Sequence, residues 1–215
     1  MVDWLERWRK GTTGWHRSDI NPQLIENINQ LFEARSQKIF VPLCGASLDM
    51  KYLIDQRFHV VGVELSSLAI DRFFNENQIE YKVSKVEDFD LYKGKNIEIY
   101  CGDFFKLKKN YLYDASCVYD RAALIALNPD LQKKYVGHLK EILPNSSKIL
   151  LLTMFYPQKE MEGPPYSVGD DDVNDLFSEF KEIKKITSKN EKESSLKPDE
   201  LNLTYLFKNV YLIDL

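Results

Sequence analysis

Short apolar runs alternate with segments of helical spacing through the middle of the chain, and this alternation is the tightest constraint on the fold. Residues 38–43 (KIFVPL) form a strand-length run that turns at Cys44-Gly45. Residues 47–56 follow with Leu48, Tyr52 and Leu53 on one helical face. A second run, 59–64 (HVVGVE), precedes a helix over 66–76 with Ser66 as its cap. Further runs lie at 97–101 (IEIYC), 115–119 and 148–155 (KILLLTMF), with a helix over 130–143 between the last two. Segments around 180–186 and 203–213 read as a closing strand pair. Strand and helix in alternation at this spacing mean parallel strands joined by crossovers. The pattern predicts an α/β, doubly wound, Rossmann-like sheet of seven strands. Short alternating pieces between 77 and 96 suggest small extra strands. The first 35 residues read as an N-terminal helical extension, with Trp4, Leu5 and Trp8 at helical spacing.

At 215 residues, one domain over 1–215 with additions is the natural reading. Lys and Arg number 29 against 33 Asp and Glu, which argues against a nucleic-acid partner on a broad basic face and against an anionic membrane surface. The longest apolar stretch, around 149–156, is far short of a membrane span. The charged, tryptophan-rich start has no apolar core like that of a secretory signal. Cys44, Cys101 and Cys117 are too few and too scattered for a disulfide framework, so the chain reads as cytoplasmic. His16, His59 and His138 do not have metal-ligand spacing, and no metal is expected. Residues 156–169, with Pro157, Gly163, Pro164, Pro165 and Gly169, and residues 188–200, polar and charge-rich, read as surface loops. No long apolar stripe is left over for a partner, so a monomer is expected.

Open α/β sheets bind ligands beyond the carboxyl ends of their strands. That places Leu43 and Gly45 after the first strand, Glu64 at the end of the second, Asp103 and Phe104 after the third, and Asp120 and Arg121 after the fourth. Glu64 stands where a carboxylate can accept hydrogen bonds from both hydroxyls of a ribose; otherwise it is a solvated residue at a strand end. A dinucleotide would need G-x-G-x-x-G, and the first turn holds only Gly45. A ribose acid without a phosphate cradle suits a nucleoside ligand that carries no phosphate, of which S-adenosylmethionine is the common one. Asp103 could then face the adenine amine with Phe104 against the ring, or Asp103 could simply cap a helix.

Six stretches carry a resemblance to a known family: WLERWRKGTTGWH (4–16), VPLCGASLDM (41–50), VVGVELS (60–66), CGDFF (101–105), YDRAALIALNP (119–129) and GPPYSV (163–168). In this order and spacing they resemble the thiopurine S-methyltransferases, in a form similar to the bacterial members. The resemblance covers nearly the whole chain and implies the class I S-adenosylmethionine-dependent methyltransferase fold. It implies that Trp4 and Trp8 close over the cofactor, that Leu43 and Gly45 supply the turn against it, and that Glu64 binds its ribose. It further implies adenine-side contacts from Asp103 and Phe104, a pocket role for Arg121 toward cofactor or acceptor, and a substrate-side aromatic at Trp15. Two positions depart from the family pattern: Ala46 stands where a lysine is common, and Trp15 where phenylalanine is frequent. The larger indole bears on acceptor preference rather than on the chemistry. Read structurally instead, Trp4 and Trp8 at i, i+4 are a core staple, Arg121 pairs with Asp120 or Asp103, and the 163–168 loop is an inert turn.

The implied partner is a small-molecule thiol. No catalytic base is needed, because heteroaromatic thiols ionise easily and alignment supplies most of the acceleration. Three rival readings stay open: the same fold acting on inorganic selenium or tellurium anions, halide or a hydroxyl; a non-catalytic S-adenosylmethionine-binding protein; and, more distantly, a dinucleotide oxidoreductase.

Overall fold

The computed structural model describes residues 2–31, 38–191 and 203–215. The chain divides into two compact units, Met1–Val118 and Tyr119–Leu215. The first unit opens with helices α1 (Trp4–Lys10) and α2 (Pro22–Leu31), followed by strand β1 (Lys38–Val41), α3 (Leu48–Asp55), β2 (His59–Glu64) and α4 (Ser67–Glu76). Strands β3 (Tyr81–Val86), β4 (Phe89–Gly94) and β5 (Ile97–Cys101) come next, and β6 (Ala115–Arg121) runs across the division.

In this unit β1 pairs in parallel with β2 and with β6, β2 pairs in parallel with β5, and β3–β4–β5 form an antiparallel meander. Ile39, Phe40, Val60, Val61, Val63, Ile97, Ile99 and Val118 are buried, so the parallel strands read as continuous apolar runs rather than alternating ones. Each such side chain contributes about 1.5–3 kcal/mol on leaving water. The helix starts are set by side-chain caps: Asp3 for α1, Ser47 for α3 and Ser66 for α4, each accepting from a backbone N–H of the first turn. Gly11 ends α1 in the left-handed conformation at φ 67. The N-terminal extension is tied to α3 by the Asn21 amide, which donates to Asp49 Oδ1 at 2.7 Å.

The second unit holds the end of β6, α5 (Pro129–Ile142), β7 (Lys148–Phe155), α6 (Asp170–Leu176), β8 (Glu182–Asn190) and β9 (Phe207–Asp214). β9 lies antiparallel between β7 and β8. Asn128 caps α5, with Pro129 at a position where its missing N–H costs nothing. The seven strands expected from the sequence are all found, and the β3–β4 hairpin adds two more in the segment where short strands were suspected.

One expectation changes. Residues 188–190 belong to β8 rather than to a loop: Ser188 pairs with Asn209, and its hydroxyl meets Asn209 Oδ1 at 2.7 Å. The strand is mostly polar because it faces solvent, so it lacks the apolar pattern that marks buried strands. Residues 192–200 of that expected loop, and 32–35 of the expected helical extension, lie outside the described residues. The 156–169 loop is held in place. The Tyr166 amide donates to the Ile125 carbonyl at 2.6 Å, the Val168 amide to the Met154 carbonyl at 2.8 Å, and the Tyr156 hydroxyl to the Pro165 carbonyl. Both bonds of Gly163-Pro164-Pro165 are cis.

Candidate cofactor and acceptor site

The turn after β1 is shaped by two left-handed residues, Leu43 at φ 45 and Gly45 at φ 54. Glycine takes this conformation freely, whereas leucine pays roughly 1–2 kcal/mol for it. Backbone strain of this kind clusters at ligand sites. The turn is fastened to the end of β2 at two points. The Cys44 amide donates to the Val63 carbonyl at 3.0 Å, and the Gly45 amide donates to Glu64 Oε2 at 2.8 Å. The Ser66 amide donates to Glu64 Oε1 at 2.8 Å, so each carboxylate oxygen carries a backbone N–H.

Glu64 is therefore not a solvated strand end; it is 7% exposed. Burial pushes its carboxyl above the ordinary value, while the Ser66, Gly45 and Leu65 amides pull it part of the way back. A carboxylate offers about four acceptor positions, so Glu64 retains acceptor capacity beyond the Ser66, Gly45 and Leu65 amides. Next to a turn with a single glycine, that donor-hungry acid fits a ribose diol and not a pyrophosphate.

The same turn carries the tryptophans. A Cβ on Gly45 would stand 3.2 Å from the Trp8 ring and 4.0 Å from Trp15 Nε1. Trp15 meets Trp4 at 5.2 Å between ring centroids and Trp8 at 5.7 Å, both edge to face. Trp15 thus links the two helical tryptophans, which the spacing alone had suggested as a simple i, i+4 staple. His16 lies against the Trp8 ring, and its Nε2 stands 3.4 Å from Glu76 on α4. Trp4, Trp8, Trp15, Gly45, Leu43 and Glu64 accordingly form one connected group in the first unit.

Asp103 and Phe104 join it through the backbone, since the Gly102 amide donates to the Glu64 carbonyl at 2.9 Å. Asp103 is exposed and accepts from the Phe105 amide at 3.0 Å, capping a short 3-10 turn, Phe104–Lys106. The capping role considered for it is thus present. Phe104 is buried and meets Phe105 edge to face at 5.2 Å. Arg121 belongs to the second unit, half-buried at the end of β6 and followed by Ala122 at φ 66. Its neighbour Asp120 is fully buried and accepts from the Tyr135 hydroxyl at 2.7 Å and the Leu124 amide at 3.1 Å. Burial raises the Asp120 carboxyl to about 6.

Sequence reasoning gave no role to Arg7 or Gly102. The Arg7 guanidinium lies over Trp4 and Trp15 as a cation–π contact, and the i, i+3 spacing from Trp4 was the available signal. Gly102 has no Cβ because one would stand 2.6 Å from the Phe89 ring, a contact the sequence does not mark. Among the described residues, no group of three or more His, Cys, Asp or Glu could hold a metal ion.

The Thiopurine S-methyltransferase (TPMT) family model matches residues 1–214. A Nitrosospira multiformis protein named thiopurine S-methyltransferase is 45% identical over 181 residues, 84% of this chain and 82% of that one. A Pseudomonas fluorescens protein of the same name is 38% identical over 208 residues, 97% of this chain and 94% of that one. Among solved structures, a Burkholderia thailandensis 1,6-didemethyltoxoflavin-N1-methyltransferase bound to S-adenosylhomocysteine is similar at TM-score 0.65 and 12% identity, over 99% of this chain and 86% of that one. A methyltransferase structure from Methanosarcina mazei is similar at TM-score 0.62 and 12% identity, over 92% and 99%. These likenesses carry the fold, which is that of the class I methyltransferases. The family match and the close relatives carry the rest: this chain belongs to the thiopurine S-methyltransferase family.

Proposed function

We propose that the chain transfers a methyl group from S-adenosylmethionine to the sulfur of aromatic or heterocyclic thiols. The observation that carries this reading is Glu64: a buried acid at the carboxyl end of β2, fastened to a one-glycine turn. The family match runs through both compact units, which supports reading 1–215 as one methyltransferase domain. S-adenosylmethionine, when bound, supplies an electrophilic methyl carbon on a cationic sulfur. Glu64 would hold the ribose hydroxyls, Leu43 and Gly45 would supply the turn beside them, and Asp103 and Phe104 would border the adenine. Trp4 and Trp8 present aromatic faces, which suit a sulfonium as they suit other soft cations. Trp15 would border the acceptor ring.

Methyl transfer to a thiolate would join an anion to a cation: the new C–S bond forms as the sulfonium's bond to the methyl carbon breaks, its electron pair staying on the donor sulfur, so both charges disappear and S-adenosylhomocysteine leaves. A wall of indoles that solvates charge poorly therefore favours the step. The residues do their work by alignment and exclusion of water, with no base assigned, and Arg121 would stabilise the anionic acceptor. Cytoplasmic residence is supported by three free cysteines, two of them buried, and no described helix is long and apolar enough to cross a membrane. We take the working species as a monomer that meets a small thiol and neither nucleic acid nor membrane.

Calorimetry with S-adenosylhomocysteine, followed by turnover of 6-mercaptopurine with labelled methyl donor, tests the reading. Binding with turnover is expected. Binding without methylation of any small thiol would reduce the chain to a cofactor-binding protein.

A further inference from the structure

Three basic residues follow one another closely on α1, and they are used differently. Glu6 takes two of them, Arg9 at 2.6 Å and Lys10 at 3.2 Å. Arg7 turns to the indoles instead. Its guanidinium carbon lies 5.4 Å from the centroid of the Trp4 ring and 5.7 Å from that of Trp15. No carboxylate among the described residues pairs with it.

The two indole planes stand 82° apart, so the cation sits in the angle between the rings. A guanidinium carries five N–H donors, and a cation–π contact takes up no oxygen acceptor, so Arg7 keeps donors for a carboxylate or similar oxyanion. Arg7 is half-buried and has lost part of its water. An anion that meets those donors therefore gains more than it would in bulk solvent. Trp15 is the wall shared between this cation and the acceptor side.

We propose that Arg7 is a specificity-determining residue that selects anionic acceptors. The favoured substrate class is an aryl thiol bearing a carboxylate, with its ring along Trp15 and its carboxylate on the Arg7 guanidinium. This rests on the methyl-transfer reading above, in which Trp15 borders the acceptor. Trp4 and Trp15 flank the guanidinium, so part of its side-chain freedom is given up before the acceptor arrives and less is lost on binding.

The test measures kcat and KM of the full chain with S-adenosylmethionine for 4-mercaptobenzoate and for neutral thiophenol. Wild type, Arg7→Met and Arg7→Lys are compared. Wild type should favour the charged thiol. Arg7→Met should raise its KM about 10- to 100-fold, the scale of a charge-assisted hydrogen bond, with kcat and the thiophenol KM within about twofold. Arg7→Lys restores the charge without the planar fork and should recover part of the loss. An equal loss on both thiols would make Arg7 a packing residue and overturn the proposal, as would the absence of any preference in wild type. If wild type methylates neither thiol, the reaction reading fails separately. Calorimetry of benzoate with wild type and Arg7→Met, each with S-adenosylhomocysteine, then decides the role of Arg7. At least about tenfold weaker benzoate binding by the variant upholds it, and equal binding overturns it.

Discussion

Glu64 and Asp120 both stand at the carboxyl end of a strand, both are buried, and both sit beside a turn containing a left-handed residue. Their partners differ. Glu64 is met by main-chain amides from two turns, Gly45 and Ser66. Asp120 is met by the Tyr135 hydroxyl as well as by the Leu124 amide and is sealed at 0% exposure. Backbone donors fix a carboxylate while leaving it available, whereas a side-chain phenol closes it off. In the function proposed above the first acid meets the ribose, while the second organises the turn after β6 through the Leu124 amide.

The largest expected effect separates the two acids by pH. The Asp120 carboxyl is raised from 3.8 to about 6, so its contribution to stability is complete below pH 3.8 and is lost as pH rises through about 6. That loss is about 3 kcal/mol. Urea unfolding from pH 4 to 7 should show this slope in wild type and not in Asp120→Asn, which should bind S-adenosylhomocysteine within about twofold of wild type. Parallel pH profiles would mean that the carboxyl is not held in this way.

Next, Glu64→Ala should weaken S-adenosylhomocysteine by about 1–3 kcal/mol, measured by calorimetry, because ribose hydroxyls and amide donors are left stranded. Unchanged affinity would remove the distinction between the acids. Gly45→Ala should lower stability in thermal unfolding by about 1–2 kcal/mol, since alanine at φ 54 is strained and its methyl meets Trp8. Last, Asp103→Ser keeps a capping oxygen, so stability should stay within about 0.5 kcal/mol. Cofactor affinity should still fall by about 0.5–1 kcal/mol if the carboxylate reaches the adenine amine. No change in affinity would leave Asp103 with its cap alone.

The buried strands were legible because burial on both faces makes an apolar run. KIFV, HVVGVE, IEIYC and KILLLTMF sit where they were expected. The end of β8 was not, because an exposed strand of lysine, serine and threonine carries no such signal. Glu64 was legible from its place at the end of an apolar run. Its bond to Gly45 was not, because that depends on how the turn folds back onto β2. Leu43 gave no hint of its left-handed backbone, a conformation leucine avoids. Trp15 as the link between Trp4 and Trp8 needed the path of the chain after Gly11, which only the fold supplies.

All three tryptophans of the chain belong to one cluster, while its 12 tyrosines are spread along the sequence. Excitation at the red edge of the aromatic band therefore draws emission from a single corner of the protein. The chain carries its own optical reporter: a change in indole emission on adding a ligand reports directly on the Gly45 turn and the rings above it, with no dye or label introduced.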